Sequence, residues 1–305
     1  MEFTTKVNIE PALEKLNYNN KILIIGSCFA NEVGTMLKEC SFNISVNPFG
    51  TLYNPISIAN SIKMLDSDAL FSEKDVINIS CHTTTYAEAQ SEEAISSKER
   101  KARFCSFFHH SSFAKESAEE FLKSANTRLA AEQEHFKRAD TIIITLGTSW
   151  VFRHIQLNKI VSNCHKIRPQ EFEREFLESD QTAKILEDIA SSLPDKKIIF
   201  TISPIRHFKD GAHGNAISKA SLLLAVEKVL GRCKNTNYFP AYEIVLDELR
   251  DYRFYAEDMV HPSPVAVKYI FERFRESFIA PECYQKMGQM SRIARSAAHI
   301  QMEGR

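Results

Sequence analysis

Ile22-Leu23-Ile24-Ile25-Gly26-Ser27-Cys28-Phe29-Ala30 runs an apolar, β-branched segment into Gly-Ser and then into a helix-like pattern. A strand that stops at a glycine and continues as a helix leaves a hydroxyl at the strand's C-terminal end, where open α/β sheets carry their chemistry. Four further segments, 42–46, 141–146, 197–202 and 237–239, share that β-branched, apolar character and have turn-rich flanks. They alternate with helical patterns expected over 31–39, 55–65, 113–138, 169–192, 216–229, 241–251 and 264–278. The alternation predicts an α/β fold with a mostly parallel, doubly wound sheet.

The C-terminal ends of parallel strands lie along one edge, so the residues that follow them converge. Ser27 offers a nucleophile there, with helix N-terminal amides facing a developing oxyanion. Gly50, in Asn47-Pro48-Phe49-Gly50-Thr51, offers a second amide, and Gly147-Thr148-Ser149-Trp150 a glycine turn followed by hydroxyls. Ser203-Pro204-Ile205-Arg206-His207 adds a cation and an imidazole. A serine hydroxyl needs a base to take its proton, and His261 is the candidate; Asp258, three residues earlier, selects its tautomer and stabilises the imidazolium. Each fragment alone also reads as structure, Gly26 as a turn and the Asp-His pair as a helix cap. Their joint occurrence favours chemistry.

The composition narrows the function classes. At 305 residues, with 44% hydrophobic and 25% charged residues and a formal net charge of -1, the chain suits one large catalytic domain and gives no support to a nucleic-acid partner. The expected layout is a single domain over 1–283, with 67–112 as an insertion or cover and 284–305 as a helical tail. The start Met1-Glu2-Phe3-Thr4-Thr5-Lys6 does not read as a secretory signal, no apolar run reaches membrane-spanning length, and the seven cysteines form no C-x-x-C pair. A cytoplasmic location with reduced thiols is expected. The sequence does not set the oligomeric state.

Several residues have competing readings. Cys28 follows the serine and could itself be a nucleophile, but the side chain after such a turn is expected to point away from the sheet edge, leaving an inert thiol. His109 and His110, with His82 and His165, lack compact metal-ligand spacing, so neither metal nor cofactor is expected. His109 and His110 could equally line the cleft or serve structure. Arg206 suits an anionic or hydroxyl-rich substrate or a local ion pair, and Trp150 a sugar-stacking face or core packing. Residues 151–155 and 159–162 predict a hairpin turning at 156–158.

The run from Gly26 to Ala30 resembles the naming motif of the GSCFA family, itself similar to a branch of the SGNH/GDSL hydrolase superfamily. Asn47 to Pro55, Cys105 to Phe113, Leu146 to Phe152, Asn163 to Lys166, Ser203 to Gly211 and Tyr238 to Ser263 read as further family blocks. The resemblance implies a three-layer α/β/α sandwich with Ser27, His261 and Asp258 as a triad. It also implies an oxyanion hole from the amides of Ser27 and Gly50. Two positions depart from the superfamily pattern: Gly26 stands where an Asp usually precedes the serine, and Gly147-Thr148-Ser149 where Gly-x-Asn is usual. Thr148, Ser149 or Asn163 would then supply the third donor.

The expected function is a serine-dependent esterase or acyltransferase acting on a small or carbohydrate-linked acetyl ester through an acyl-enzyme. The alternative is a non-catalytic ligand-binding protein on the same fold. A nucleotide-binding protein is disfavoured, because no Gly-x-Gly-x-x-Gly follows the first strand.

Overall fold

The computed structural model describes residues 4–79 and 102–303. His82, Cys81 and the rest of 80–101, the middle of the expected insertion or cover, lie outside the described residues. In chain order the structure runs β1 (Lys21–Gly26), α1 (Cys28–Glu39), β2 (Asn43–Val46), α2 (Pro55–Leu65), the short pair β3 (Ile77–Asn78) and β4 (Phe104–Cys105), α3 (Ala118–Arg138) and β5 (Thr141–Leu146). A three-stranded excursion follows, with β6 (Trp150–His154), β7 (Lys159–Val161) and β8 (Phe172–Phe176). The chain then returns through α4 (Ser179–Ser192), β9 (Lys197–Ile202), α5 (Gly211–Leu230), β10 (Thr236–Phe239), α6 (Ala241–Glu243), α7 (Pro264–Phe278) and α8 (Tyr284–Glu303).

The five principal strands form one parallel sheet in the order β10-β9-β5-β1-β2. Renumbered along the chain this is the 2-1-3-4-5 order, whose direction reverses between β1 and β5, and ligand crevices in such sheets open at that reversal. The fold is a three-layer α/β/α sandwich. Alternation along the strands divides the core: Leu23, Ile25, Ile142, Ile144 and Phe200 pack against α2, α3, α4 and α5. Ile22, Ile24, Ile143 and Ile199 face the other way, toward α1, α6, α7 and the Met287 end of α8. Each such side chain, fully buried, contributes about 1.5–3 kcal/mol. Among the described residues no helix is long and apolar enough to cross a membrane.

Helix boundaries correct the sequence reading in several places, among them α5, which starts at Gly211 rather than 216. α1 starts at Cys28 rather than 31, and α3 at Ala118 rather than 113, because the Ser117 side chain accepts the Glu120 N–H and caps it. The helix expected over 241–251 widens into a π-helical turn at Ile244–Glu248, where the buried Glu248 carboxylate accepts the Val7 N–H at 2.9 Å and pairs with Arg273 at 3.2 Å. The largest difference is 169–192, expected as one helix. Phe172-Glu173-Arg174-Glu175-Phe176 is a strand paired antiparallel with β6, and it puts Phe172, Arg174 and Phe176 opposite His154, Phe152 and Trp150. The expected hairpin between β6 and β7 is present, with β8 completing its sheet.

Candidate active site

β1 ends in a conformation that only glycine tolerates. Gly26 has φ +141°, and a Cβ there would sit 2.1 Å from Thr145 O on the neighbouring strand. Ser27 then takes an extended backbone as the N-cap of α1; its N–H donates to Thr145 O at 3.0 Å and its carbonyl accepts Ala30 N–H at 2.9 Å. The consequence reverses an expectation. Ser27 is 1% exposed and its Oγ is buried without a hydrogen-bond partner among the described residues, whereas Cys28 is half-buried and lines a cavity of about 440 Å³. The turn at Gly26 breaks strand alternation, so the first side chain after it lies beneath the turn and the second emerges into the crevice.

Cys28 Sγ lies 3.4 Å from the Tyr53 hydroxyl. Burial, followed by the contact with Cys28, holds the Tyr53 phenol well above its ordinary range, so it stays protonated and can donate to sulfur. The amides of Cys28 and Phe29 open the helix and have no intrahelical acceptor. Helix N-termini of this kind favour developing negative charge.

His261 lines the same cavity. Its Nδ1 lies 2.6 Å from Asp258 Oδ2, and since a carboxylate only accepts, Nδ1–H is the donor and Nε2 is left as the base. Asp258 Oδ1 accepts the Val260 and His261 amides, each at 2.9 Å. These backbone bonds, then the imidazole, hold the Asp258 carboxyl down at about 2, so it is ionised at neutral pH. The loop is closed by Ala256 N–H to His261 O at 2.7 Å and Ser263 N–H to Phe254 O at 2.8 Å. Thiol and imidazole face one cavity, with no hydrogen bond between them among the described residues.

Of the expected oxyanion donors, the Ser27 amide donates to Thr145 O and the Gly50 amide to Asn47 O at 2.8 Å. Thr148 lines the cavity, but its amide donates to Tyr53 O at 2.9 Å and its hydroxyl pairs with Ser218 Oγ at 3.0 Å. Ser149 is fully buried, donating its N–H to Ser218 Oγ and its hydroxyl to Ser218 O. Asn163 reaches the cavity with its Oδ1 occupied by His165 N–H at 2.8 Å, leaving its NH2 group. Asn54, not singled out in the sequence, is arranged alike: Oδ1 caps α2 by accepting Ser57 N–H at 2.9 Å, and the residue lines the cavity. Its signal was present, since Asn before Pro reads as a cap, which orients the amide. Tyr53 was also missed; nothing in its sequence neighbourhood marks it.

Arg206 and His207 both line the cavity. His207 packs edge-on to Tyr53, with Nε2 buried and unpartnered and the ring close over Gly147, where a Cβ would meet Nε2 at 3.3 Å. Burial, then the charge of Lys219, pushes the His207 imidazole down to about 4, so it is neutral at pH 7. Lys219, 1% exposed, donates to Gly147 O and Ser203 O, both at 2.7 Å, and ties together the ends of β5 and β9.

His109 is away from the cleft, 2% exposed among Phe49, Phe71, Phe113 and Phe121, with Nδ1 2.7 Å from Ser106 Oγ. His110 caps the turn at Ser111–Phe113, and His165 bonds Ser106 O and Ser111 Oγ. Trp150 meets Phe176 edge-on and carries the Arg174 guanidinium 4.4 Å from its ring while also lining the cavity.

A thiol at a helix start and a carboxylate-oriented imidazole line one crevice at the topological switch point of a doubly wound α/β sheet. The GSCFA family model matches residues 21–274, and the chain belongs to the GSCFA family. No curated protein and no solved structure matches the chain.

Proposed function

We propose that the protein is a hydrolase or acyltransferase that attacks an ester carbonyl, forms a covalent acyl-enzyme and releases the acyl group to water or to another hydroxyl. The observation that carries the reading is that Cys28, His261 and Asn54 line one cavity. The resemblance to the SGNH/GDSL superfamily supports it, and suggests a small or carbohydrate-linked acetyl ester. The cysteines of the described residues are thiols rather than disulfides, which suits a reducing, cytoplasmic setting for a thiol enzyme.

The nucleophile in this reading is Cys28. His261 Nε2 takes the thiol proton as Sγ bonds to the acyl carbon, and Asp258 stabilises the imidazolium. The oxyanion points toward the Cys28 amide and the Asn54 NH2. The imidazolium proton passes to the leaving alkoxide as its C–O bond breaks, giving a thioester. An incoming water or alcohol then gives its proton to Nε2 and attacks the thioester carbon; the C–S bond breaks and the proton returns to sulfur.

A second reading keeps Ser27 as nucleophile, favoured by one observation: its Oγ is buried without a partner, an uncommon state for a hydroxyl. Mass spectrometry of the acylated protein separates the two. With a p-nitrophenyl acetate donor, the adduct is expected on the peptide containing residue 28, absent from Cys28→Ala and retained in Ser27→Ala. An adduct that survives Cys28→Ala and disappears in Ser27→Ala would overturn the thiol assignment. No adduct in any form, with the protein folded, would leave a ligand-binding protein.

A further inference from the structure

The cavity beside Cys28 carries more positive charge than it neutralises. Among the described residues its one lining carboxylate, Asp210, forms an ion pair with Arg174. Arg206 and Lys209 also line it, and among the described residues neither forms an ion pair with a carboxylate. Arg206 is held in place by other means. Its backbone N–H donates to Val260 O at 3.2 Å, next to His261, and its guanidinium lies 4.1 Å from the Phe208 ring centroid and donates to Met259 O at 3.4 Å. Lys209 sits 5.1 Å from the Phe152 ring centroid. Stacking fixes a guanidinium plane while leaving N–H groups at its edge for a ligand, and a planar fork suits carboxylate or phosphate oxygens.

Size points the same way. A volume of about 440 Å³ lies within the range of small-molecule sites and far exceeds what an acetyl group fills. Residues 206–209 supply four of the side chains around that remaining volume.

We infer that the substrate of this site carries an oxyanion, a carboxylate or a phosphate, recognised by Arg206 and Lys209 beside the nucleophile. The inference deepens the acyl-transfer reading and rests on it for the word substrate, but anion binding is measurable without turnover. Trp150, the only tryptophan of the chain, lines the cavity and reports on its occupancy.

The test titrates the protein with inorganic phosphate and, separately, with acetate, at constant ionic strength set by sodium chloride. Trp150 fluorescence is followed, with calorimetry as the second readout. A saturable response to one or both anions is expected, phosphate or acetate identifying which oxyanion fits. Arg206→Gln and Lys209→Gln should each weaken it by about threefold to tenfold, the effect of losing one partly exposed charge-assisted contact. No saturable binding by either readout, or binding unchanged in both folded variants, would overturn the inference. Its failure is distinguishable from failure of the catalytic reading, because the adduct at residue 28 is scored independently.

Discussion

Replacing His109 with glutamine should flatten the acid limb of the stability curve. The imidazole is 2% exposed, ringed by four phenylalanines with centroids 4.8–5.5 Å away. Burial, then the positive charges of Arg128 and His165, push its pKa from 6.5 to about 3. The unfolded chain therefore binds a proton near pH 6.5 that the folded protein refuses until about pH 3. Stability from this group is intact above 6.5 and is lost as pH falls from there toward 3. At pH 5 the loss is about 1.5 pKa units, or ~2 kcal/mol. A glutamine side chain does not titrate. Whatever the substitution costs at pH 7.5, the gap between wild type and variant should therefore narrow by about 2 kcal/mol at pH 5. Urea unfolding at the two pH values reads this directly; with a slope of about 3 kcal/mol/M the relative midpoints should move by roughly 0.7 M. A gap that is the same at both pH values, to within about 0.5 kcal/mol, would refute the reasoning, since His109 would then titrate alike in both states. His207, held down at about 4, adds a parallel loss that is common to wild type and variant and cancels in the comparison.

Other substitutions test the turn and the cleft. Gly26→Ala places a Cβ against Thr145 O and should destabilise by at least ~3 kcal/mol, seen as a lowered Tm or loss of folded protein; a near-neutral effect would contradict the turn geometry. Ser27→Ala removes an unpartnered buried hydroxyl and should be neutral or stabilising by up to about 1 kcal/mol in chemical denaturation. Asn54→Asp keeps the oxygen that caps α2 but loses the NH2, so the acylation rate should fall about tenfold to a hundredfold while Tm is held; equal rates would remove Asn54 from the oxyanion site. Asp258→Asn should lower the acylation rate by at least about tenfold with little change in substrate affinity, and a smaller loss would make Asp258 a loop-capping residue.

The parts of the fold legible in the sequence are those fixed by local pattern. Thr141–Leu146 and Lys197–Ile202 read as strands because β-branched runs flanked by turn residues have few alternatives, and Pro55–Leu65 and Pro264–Phe278 read as helices because proline follows a capping Asn or Ser. Phe172–Phe176 was lost because its Glu and Arg favour helices; only pairing with β6, and the stacking of Arg174 on Trp150, rewards its period of two.

The candidate site divides in the same way. Asp258 and His261 were legible because three residues of loop suffice to join them, a constraint local to the chain. Which of Ser27 and Cys28 enters the cleft was not. That choice depends on the positive φ at Gly26 and on the approach of Thr145 from a strand more than a hundred residues away, and no pattern within the motif encodes where that carbonyl lies. The sequence by itself determined the strand-turn-helix, the paired carboxylate and imidazole, and the edge where they meet. Tertiary packing decided the facing of two adjacent side chains and the engagement of the Gly50 and Thr148 amides. Tertiary packing also oriented Asn54, because side-chain direction and hydrogen-bond satisfaction depend on neighbours that are distant in the chain.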